Sequence, residues 1–290
     1  MKNFFLLTTE HLEDALWFRC DDDFKVGMNY VAVVAALFPY VDVLAFILMS
    51  NHVHFVLYGE KDDVIAFLEK FKLLYSKYMR RKYGIKELLR NNRIDIQEAS
   101  GIDETVEWFI AYVQMNSVAA NISIHPSLYP WGTGGVFFNN VLPKGKRIGD
   151  ISARARMRLF HSTCDALPQD WIVSEEGYIL PQSYVDYVKV ESIFRTPNRM
   201  NYFYTHSSKA RKRIDSEENL PSFRDQIILS AIPELCRSLF KKNGFAELSL
   251  GEKTELLRQI RYRFSMDVAQ MARVCGISYT EVSGLLDYQQ

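Results

Sequence analysis

The chain has 290 residues, 48% of them apolar and 24% charged, and its 35 basic side chains balance 35 acidic ones. This apolar content excludes intrinsic disorder, and the length exceeds a single ordinary core, which predicts a catalytic domain of about 150 residues plus a second region. A net charge of zero argues neither for nor against a nucleic-acid partner, but the charge is unevenly spread: acids gather at Glu10, Glu13, Asp14 and Asp21-Asp22-Asp23, and residues 70–93 are rich in lysine and arginine.

Residues 4–8 open the chain as a strand, and 25–37 predict a helix stopped by Pro39. Residues 41–49 and 52–58 predict two strands joined tightly around Ser50-Asn51. A helical stripe of Ile65, Phe67, Leu68, Phe71, Leu74, Tyr75 and Tyr78 runs through 62–82, and Gly84 ends it. Residues 93–97 alternate polar and apolar as a fourth strand, after which Asp103 opens an amphipathic helix through Trp108, Ile110, Tyr112 and Met115. The order predicts an α+β chain: a ferredoxin-like β-α-β-β-α-β sheet, then an extra helix that carries Tyr112.

Tyr129-Pro130-Trp131-Gly132-Thr133-Gly134-Gly135 breaks the pattern, so a first domain is expected over 1–140. A connecting region over 141–215 contains the basic run Lys209-Ala210-Arg211-Lys212-Arg213, and 216–290 reads as mainly helical. Around Cys275-Gly276-Ile277 the spacing fits a helix-turn-helix at about 266–286: Ala272 lets the helices approach, Gly276 makes the turn and Val282 locks the second helix. Ser278, Tyr279, Thr280 and Glu281 then begin a recognition helix suited to duplex DNA; the plain alternative is a helical hairpin with a glycine turn.

Cys20, Cys164, Cys236 and Cys275 are far apart and form no Cys-x-x-Cys pair, which argues against a zinc knuckle or disulfide scaffold and for reduced thiols in a cytoplasm. Met1 to Leu7 is too short for a signal-peptide core, and the apolar run 31–49 is interrupted by Pro39 and Asp42, so no membrane partner is expected.

The chemistry centres on Asn51-His52-Val53-His54. Period-two alternation puts both imidazoles on one strand face, where neutral rings can grip a divalent cation; the plain alternative is ordinary hydrogen bonding at a strand end. Tyr112-Val113-Gln114-Met115-Asn116 offers a phenol and, four residues later on the same helical face, an amide. Tyr112 is then the candidate nucleophile and Asn116 a third metal ligand beside His52 and His54.

Leu48-Met49-Ser50-Asn51-His52-Val53-His54-Phe55 resembles the Met-x-Asn-His-Val-His core of IS200/IS605-type tyrosine transposases of the HUH endonuclease superfamily, particularly the REP-associated group. Tyr112 to Asn116 resembles that group's Tyr-Ile-x-x-Asn helix, and Tyr129-Pro130-Trp131 its downstream Tyr-Pro-Trp. The resemblance covers about the first half of the chain. It implies DNA nicking and joining on single-stranded or hairpin DNA, with Tyr112 attacking a phosphate to leave a 5′-phosphotyrosine and a free 3′-hydroxyl. His52 and His54 would bind Mg2+ or Mn2+, with Asn116 where the family has an amide ligand, and Lys72, Lys77, Arg80, Arg81 and Arg93 become candidate phosphate contacts.

The chain also departs from the pattern. The family's Asn-Pro-x-Arg-Ala is Asn116-Ser117-Val118-Ala119-Ala120 here, and its Gln-Gly-Arg-Phe box is reduced to Asn91-Asn92-Arg93-Ile94. These changes motivate a second expectation, a domesticated DNA-binding regulator without cleavage activity; a third, an unrelated metal-dependent phosphodiesterase that uses water, leaves the Tyr112 to Asn116 motif unexplained. Monomer and homodimer both stay open.

Overall fold

The computed structural model describes residues 1–12, 16–85, 89, 92–99, 104–120, 122–141, 144–161, 166–207, 225–264, 266 and 268–287. Asn91, Asp103, Cys164 and the basic run at 209–213 lie outside the described residues.

β1 (Asn3–Thr9), α1 (Asp21–Leu37), β2 (Asp42–Met49), β3 (His52–Gly59), α2 (Lys61–Tyr83), β4 (Ile94–Glu98) and α3 (Thr105–Gln114) occur in the predicted order. α1 begins earlier than its apolar pattern because Asp21, Asp22 and Asp23 occupy the first turn, where carboxylates meet the positive end of the helix dipole. α2 stops where expected: Arg80, Arg81 and Lys82 fill its last turn, and Gly84 takes the left-handed φ of 71° that caps it.

The strands form one antiparallel sheet in the order β2-β3-β1-β4. Alternation along β3 sends Val53, Phe55 and Leu57 to one face, where Phe55 meets Phe67 and Phe71 of α2 at ring-centroid distances of 5.9 and 5.7 Å. His52, His54 and Val56 take the opposite face, and His54 meets Tyr112 of α3 there. α2 and α3 therefore cover opposite sides of the sheet.

The first domain does not end near residue 140. Beyond α4 (Asn116–Ala119), the Tyr-Pro-Trp-Gly segment lies along the outer edge of β2. There Leu48 N donates to Trp131 O at 2.8 Å, and Tyr129 Oη donates to Leu48 O at 2.6 Å. Gly132 permits the approach, since a Cβ would lie 2.8 Å from Phe46 O. The segment read as a connecting region then continues through β5 (Lys146–Arg147), α5 (Ala153–Phe160), β6 (Ile172–Val173), α6 (Tyr187–Phe194) and α7 (Pro197–His206). Val185, Val190, Phe194, Met200, Phe203 and Tyr204 join the central apolar core, so much of 141–207 completes the first domain instead of linking it to the second.

The C-terminal helices are α8 (Asp225–Phe240), α9 (Leu250–Phe264), α10 (Val268–Cys275) and α11 (Tyr279–Asp287). Their apolar faces form a second core that also takes in Leu16 and Cys20 from the beginning of the chain. Arg263, whose side chain is fully buried, pairs with Asp21 at 2.5 Å, and Ser50 Oγ donates to Arg263 O. The helical region is thus anchored on the turn between β2 and β3. Among the described residues no helix is long and apolar enough to cross a membrane.

Candidate active site on the histidine face of the sheet

His52 and His54 are 6% and 0% exposed, with ring centroids 4.6 Å apart and planes nearly perpendicular. Asn51 Nδ2 donates to Leu12 O at 3.4 Å, which turns its Oδ1 toward His52 Nδ1 at 2.8 Å. An amide oxygen only accepts, so His52 Nδ1 carries the proton and the lone pair of the neutral ring lies on Nε2. His54 Nδ1 is held by Thr8 Oγ1 at 2.9 Å. Both rings are therefore oriented through Nδ1, the outer-shell arrangement that metal-binding imidazoles use.

Tyr112 arrives from α3. Its ring lies edge-on to His54 at 5.4 Å between centroids, at an interplanar angle of 89°. The half-buried phenol is raised above its ordinary pKa, first by burial and then by the charge of Asp95. Asp95 reaches this face through register: Thr8 lies opposite His54 on β3 and opposite Asp95 on β4. Gln97 Nε2 donates to Asp95 Oδ2 at 3.3 Å, and Gln97 also lines a cleft of about 520 Å³ with Trp108, Phe109, Tyr112 and His206.

The structure thus gathers His52, His54 and Tyr112 as expected, and adds three residues that the sequence reading missed. Thr8 and Asp95 lie in the same cross-strand row as His54, and His11 stacks on His52 at 3.7 Å with planes 13° apart. Their signal was register, which fixes partners only once β1 is known to pair with both β3 and β4.

Asn116, the expected third ligand, is held through its amide nitrogen. α3 stops at Gln114, and the Asn116 Nδ2 donates to Tyr112 O at 2.8 Å and Val113 O at 3.3 Å. These bonds tie the amide nitrogen to the end of α3 and leave the ligating atom of such an amide, its oxygen, unengaged by them. Among the described residues, no three His, Cys, Asp or Glu side chains form a group able to hold a metal ion. The two imidazoles are donors on this face, where Asp95 also lies, and oxygens of water or substrate would complete a shell.

The predicted DNA contacts separate. Lys72 is corrected outright: it is 4% exposed and donates to Glu69 Oε1 at 2.9 Å and Asn92 O at 2.6 Å, a structural role that keeps it from phosphate. Lys77, Arg80 and Arg81 are exposed, but they ride on α2, across the sheet from Tyr112. Arg93 is exposed just before β4, and alternation places it on the side of Asp95. Ser278, Tyr279 and Thr280 are exposed at the start of α11, where Ser278 Oγ caps the helix by accepting from Glu281 N at 3.1 Å. Gly276 turns the chain at φ 68° and Val282 is fully buried, as the helix-turn-helix spacing requires.

Compared with known proteins, the chain matches no family model, no curated protein and no solved structure.

Proposed function

We propose that this protein nicks and joins single-stranded or hairpin DNA through a covalent 5′-phosphotyrosine on Tyr112, as its resemblance to the IS200/IS605-type transposases implies. The observation that carries the proposal is the approach of Tyr112 to His54 at 5.4 Å on one sheet face, because the two residues come from elements distant in sequence. The strand order β2-β3-β1-β4, with every neighbour antiparallel, supports the ferredoxin-like reading and a central position for the histidine strand.

In the proposed step Tyr112 gives up its phenol proton to solvent and its oxygen attacks phosphorus, the bond from phosphorus to the 3′ oxygen breaks, and the departing oxygen takes up a proton from solvent to become a 3′-hydroxyl. Reversal rejoins the strand without a further energy source. His52 and His54 fit a divalent cation by donor chemistry: both rings are fixed at Nδ1, and the Asn51 contact leaves the His52 lone pair at Nε2. Mg2+ or Mn2+ bound there would supply Lewis-acid polarisation of a phosphoryl oxygen. Thr8 and Asn51 orient the rings, Tyr112 supplies the nucleophile, and the aromatic wall of Trp108 and Phe109 gives bases a surface beside it.

The test is incubation with a single-stranded hairpin oligonucleotide and Mn2+, followed by denaturing electrophoresis. A DNA-linked protein band that disappears in Tyr112→Phe is expected. Its absence in the wild type, or cleavage undiminished in Tyr112→Phe, overturns the proposal; the second outcome points instead to water as nucleophile.

A second reading, a DNA-binding regulator without cleavage, is favoured by the exposed start of α11. It predicts duplex binding that is lost in Thr280→Glu, with no cleavage under any divalent metal.

A further inference from the structure

Across the sheet from the imidazoles, α1, α2 and α5 enclose a second pocket of about 490 Å³. Its floor is aromatic, formed by the nearly buried Tyr30 and Tyr78. The walls are fixed by one buried amide. Asn29 Nδ2 donates to Leu159 O and to Gly177 O at 3.1 Å each, and its Oδ1 accepts from Ile179 N at 2.8 Å, so α1 clamps the end of α5 and the turn around Gly177 in place.

Beneath the floor, the fully buried Asp23 accepts from Tyr78 Oη at 2.7 Å, Tyr83 Oη at 2.9 Å and Lys82 Nζ at 2.7 Å. His161 stands at the rim with φ 46° and its ring 5.5 Å from Tyr78. A left-handed conformation at a residue other than glycine costs on the order of 1 kcal/mol and persists where the surroundings impose it.

The charges around this pocket do not cancel. Among the described lining residues Lys82 is paired with Asp23 and Lys25 lies 3.8 Å from Asp22, while the Glu176 carboxylate, hydrogen-bonded to Tyr178, keeps its negative charge. Arg81 and Arg158 line the same pocket and have no ion pair among the described residues. His161 lies among these charges: burial and then Arg81 and Lys82 hold it below the ordinary imidazole pKa, against the opposing effect of Asp22.

We infer that this pocket binds a phosphate group, held by the guanidinium forks of Arg81 and Arg158 beside His161 and above the ring of Tyr78. Planar guanidinium pairs match phosphate oxygens in geometry and charge, and a fixed, largely desolvated aromatic floor strengthens such contacts. Of the α2 cations expected to meet DNA, Arg81 is the one this pocket uses; Arg158 and His161 come from the part of the chain that looked like a connector. A free phosphate compound and the backbone of a nucleic acid present the same chemistry.

The experiment uses the full chain, wild type and R81Q/R158Q. One arm follows the His161 imidazole resonance during titration with inorganic phosphate. The other follows the anisotropy of a labelled single-stranded oligonucleotide over a range of salt. A free phosphate compound as ligand predicts a His161 shift that R81Q/R158Q weakens about tenfold or more. Backbone phosphate predicts an oligonucleotide affinity that falls by a similar factor in R81Q/R158Q, with a salt slope shallower by about 0.7. If the glutamine variant fails to fold, R81K/R158K retains the charge without the fork and is expected to weaken whichever arm responds in the wild type. The inference is overturned if the wild type responds in neither arm, or if a folded variant responds as the wild type does.

Discussion

Burial and the charge of Asp95 both hold the proton on the Tyr112 phenol. If the phenolate is the attacking species, adduct formation should climb steadily between about pH 7 and 9, since an ordinary tyrosine titrates only near pH 10 and this one lies higher. Asp95→Asn removes a negative charge that disfavours the phenolate, so its pH profile should move toward lower pH. A flat wild-type profile, or an acid-shifted rate unchanged by Asp95→Asn, would contradict this account. Lys72 offers a separate check, because its amine is buried against Glu69 and the Asn92 carbonyl. Lys72→Ala should lower unfolding stability by about 1 to 2 kcal/mol in a denaturant titration. Its oligonucleotide affinity should match that of the wild type.

Among the elements, the outer edge of β2 is the most tightly specified. The 129–133 segment closes an edge that would otherwise present unpaired backbone groups, and it does so at a backbone separation that excludes a side chain at Gly132. Gly132→Ala should therefore cost about 1 to 3 kcal/mol, read as a lower melting temperature, with the loss in β2 protection from hydrogen exchange confined at first to Phe46 and Leu48. The Tyr-Pro-Trp sequence thus has a structural use here: Tyr129 ties to Leu48 O, and Trp131 stacks on Phe24 of α1 at 5.1 Å. α3 has a different dependence. It carries Tyr112 to the imidazoles, and the turn-back of the Asn116 amide onto its last carbonyls secures the end of the helix.

Across the molecule, the two cores meet where Arg263 of α9 reaches Asp21 at the start of α1 and its carbonyl receives Ser50. Ser50 precedes the Asn51-His52 pair, so the C-terminal helices and the histidine strand share one anchoring point. Removing a fully buried guanidinium should be costly: Arg263→Ala is expected to lose about 3 kcal/mol of stability. The same variant should speed exchange of the amides that hydrogen-bond to Ser50 O, namely Trp17 and Phe18. Equal stability and unchanged exchange would show that the helical region is not coupled to this turn.

The strand and helix order was legible because alternation and helical stripes are local: His52 and His54 share a face whatever the rest of the chain does, and Gly84 and Gly276 signal through their own backbone chemistry. The amphipathic pattern of α3 likewise marked Tyr112 as lying on a helix. What no local pattern contains is the face against which a helix packs. α3 lies on the histidine side and α2 on the other, which brought Tyr112 to His54, left Lys77, Arg80 and Arg81 across the sheet, and buried Lys72. Cross-strand register, a long-range property, supplied Thr8 and Asp95; long-range packing also made 141–207 part of the first core and joined Arg81 to Arg158 in one pocket. Periodicity specifies which side of an element is apolar, whereas the partner of that side is chosen by the free energy of burying all the elements together.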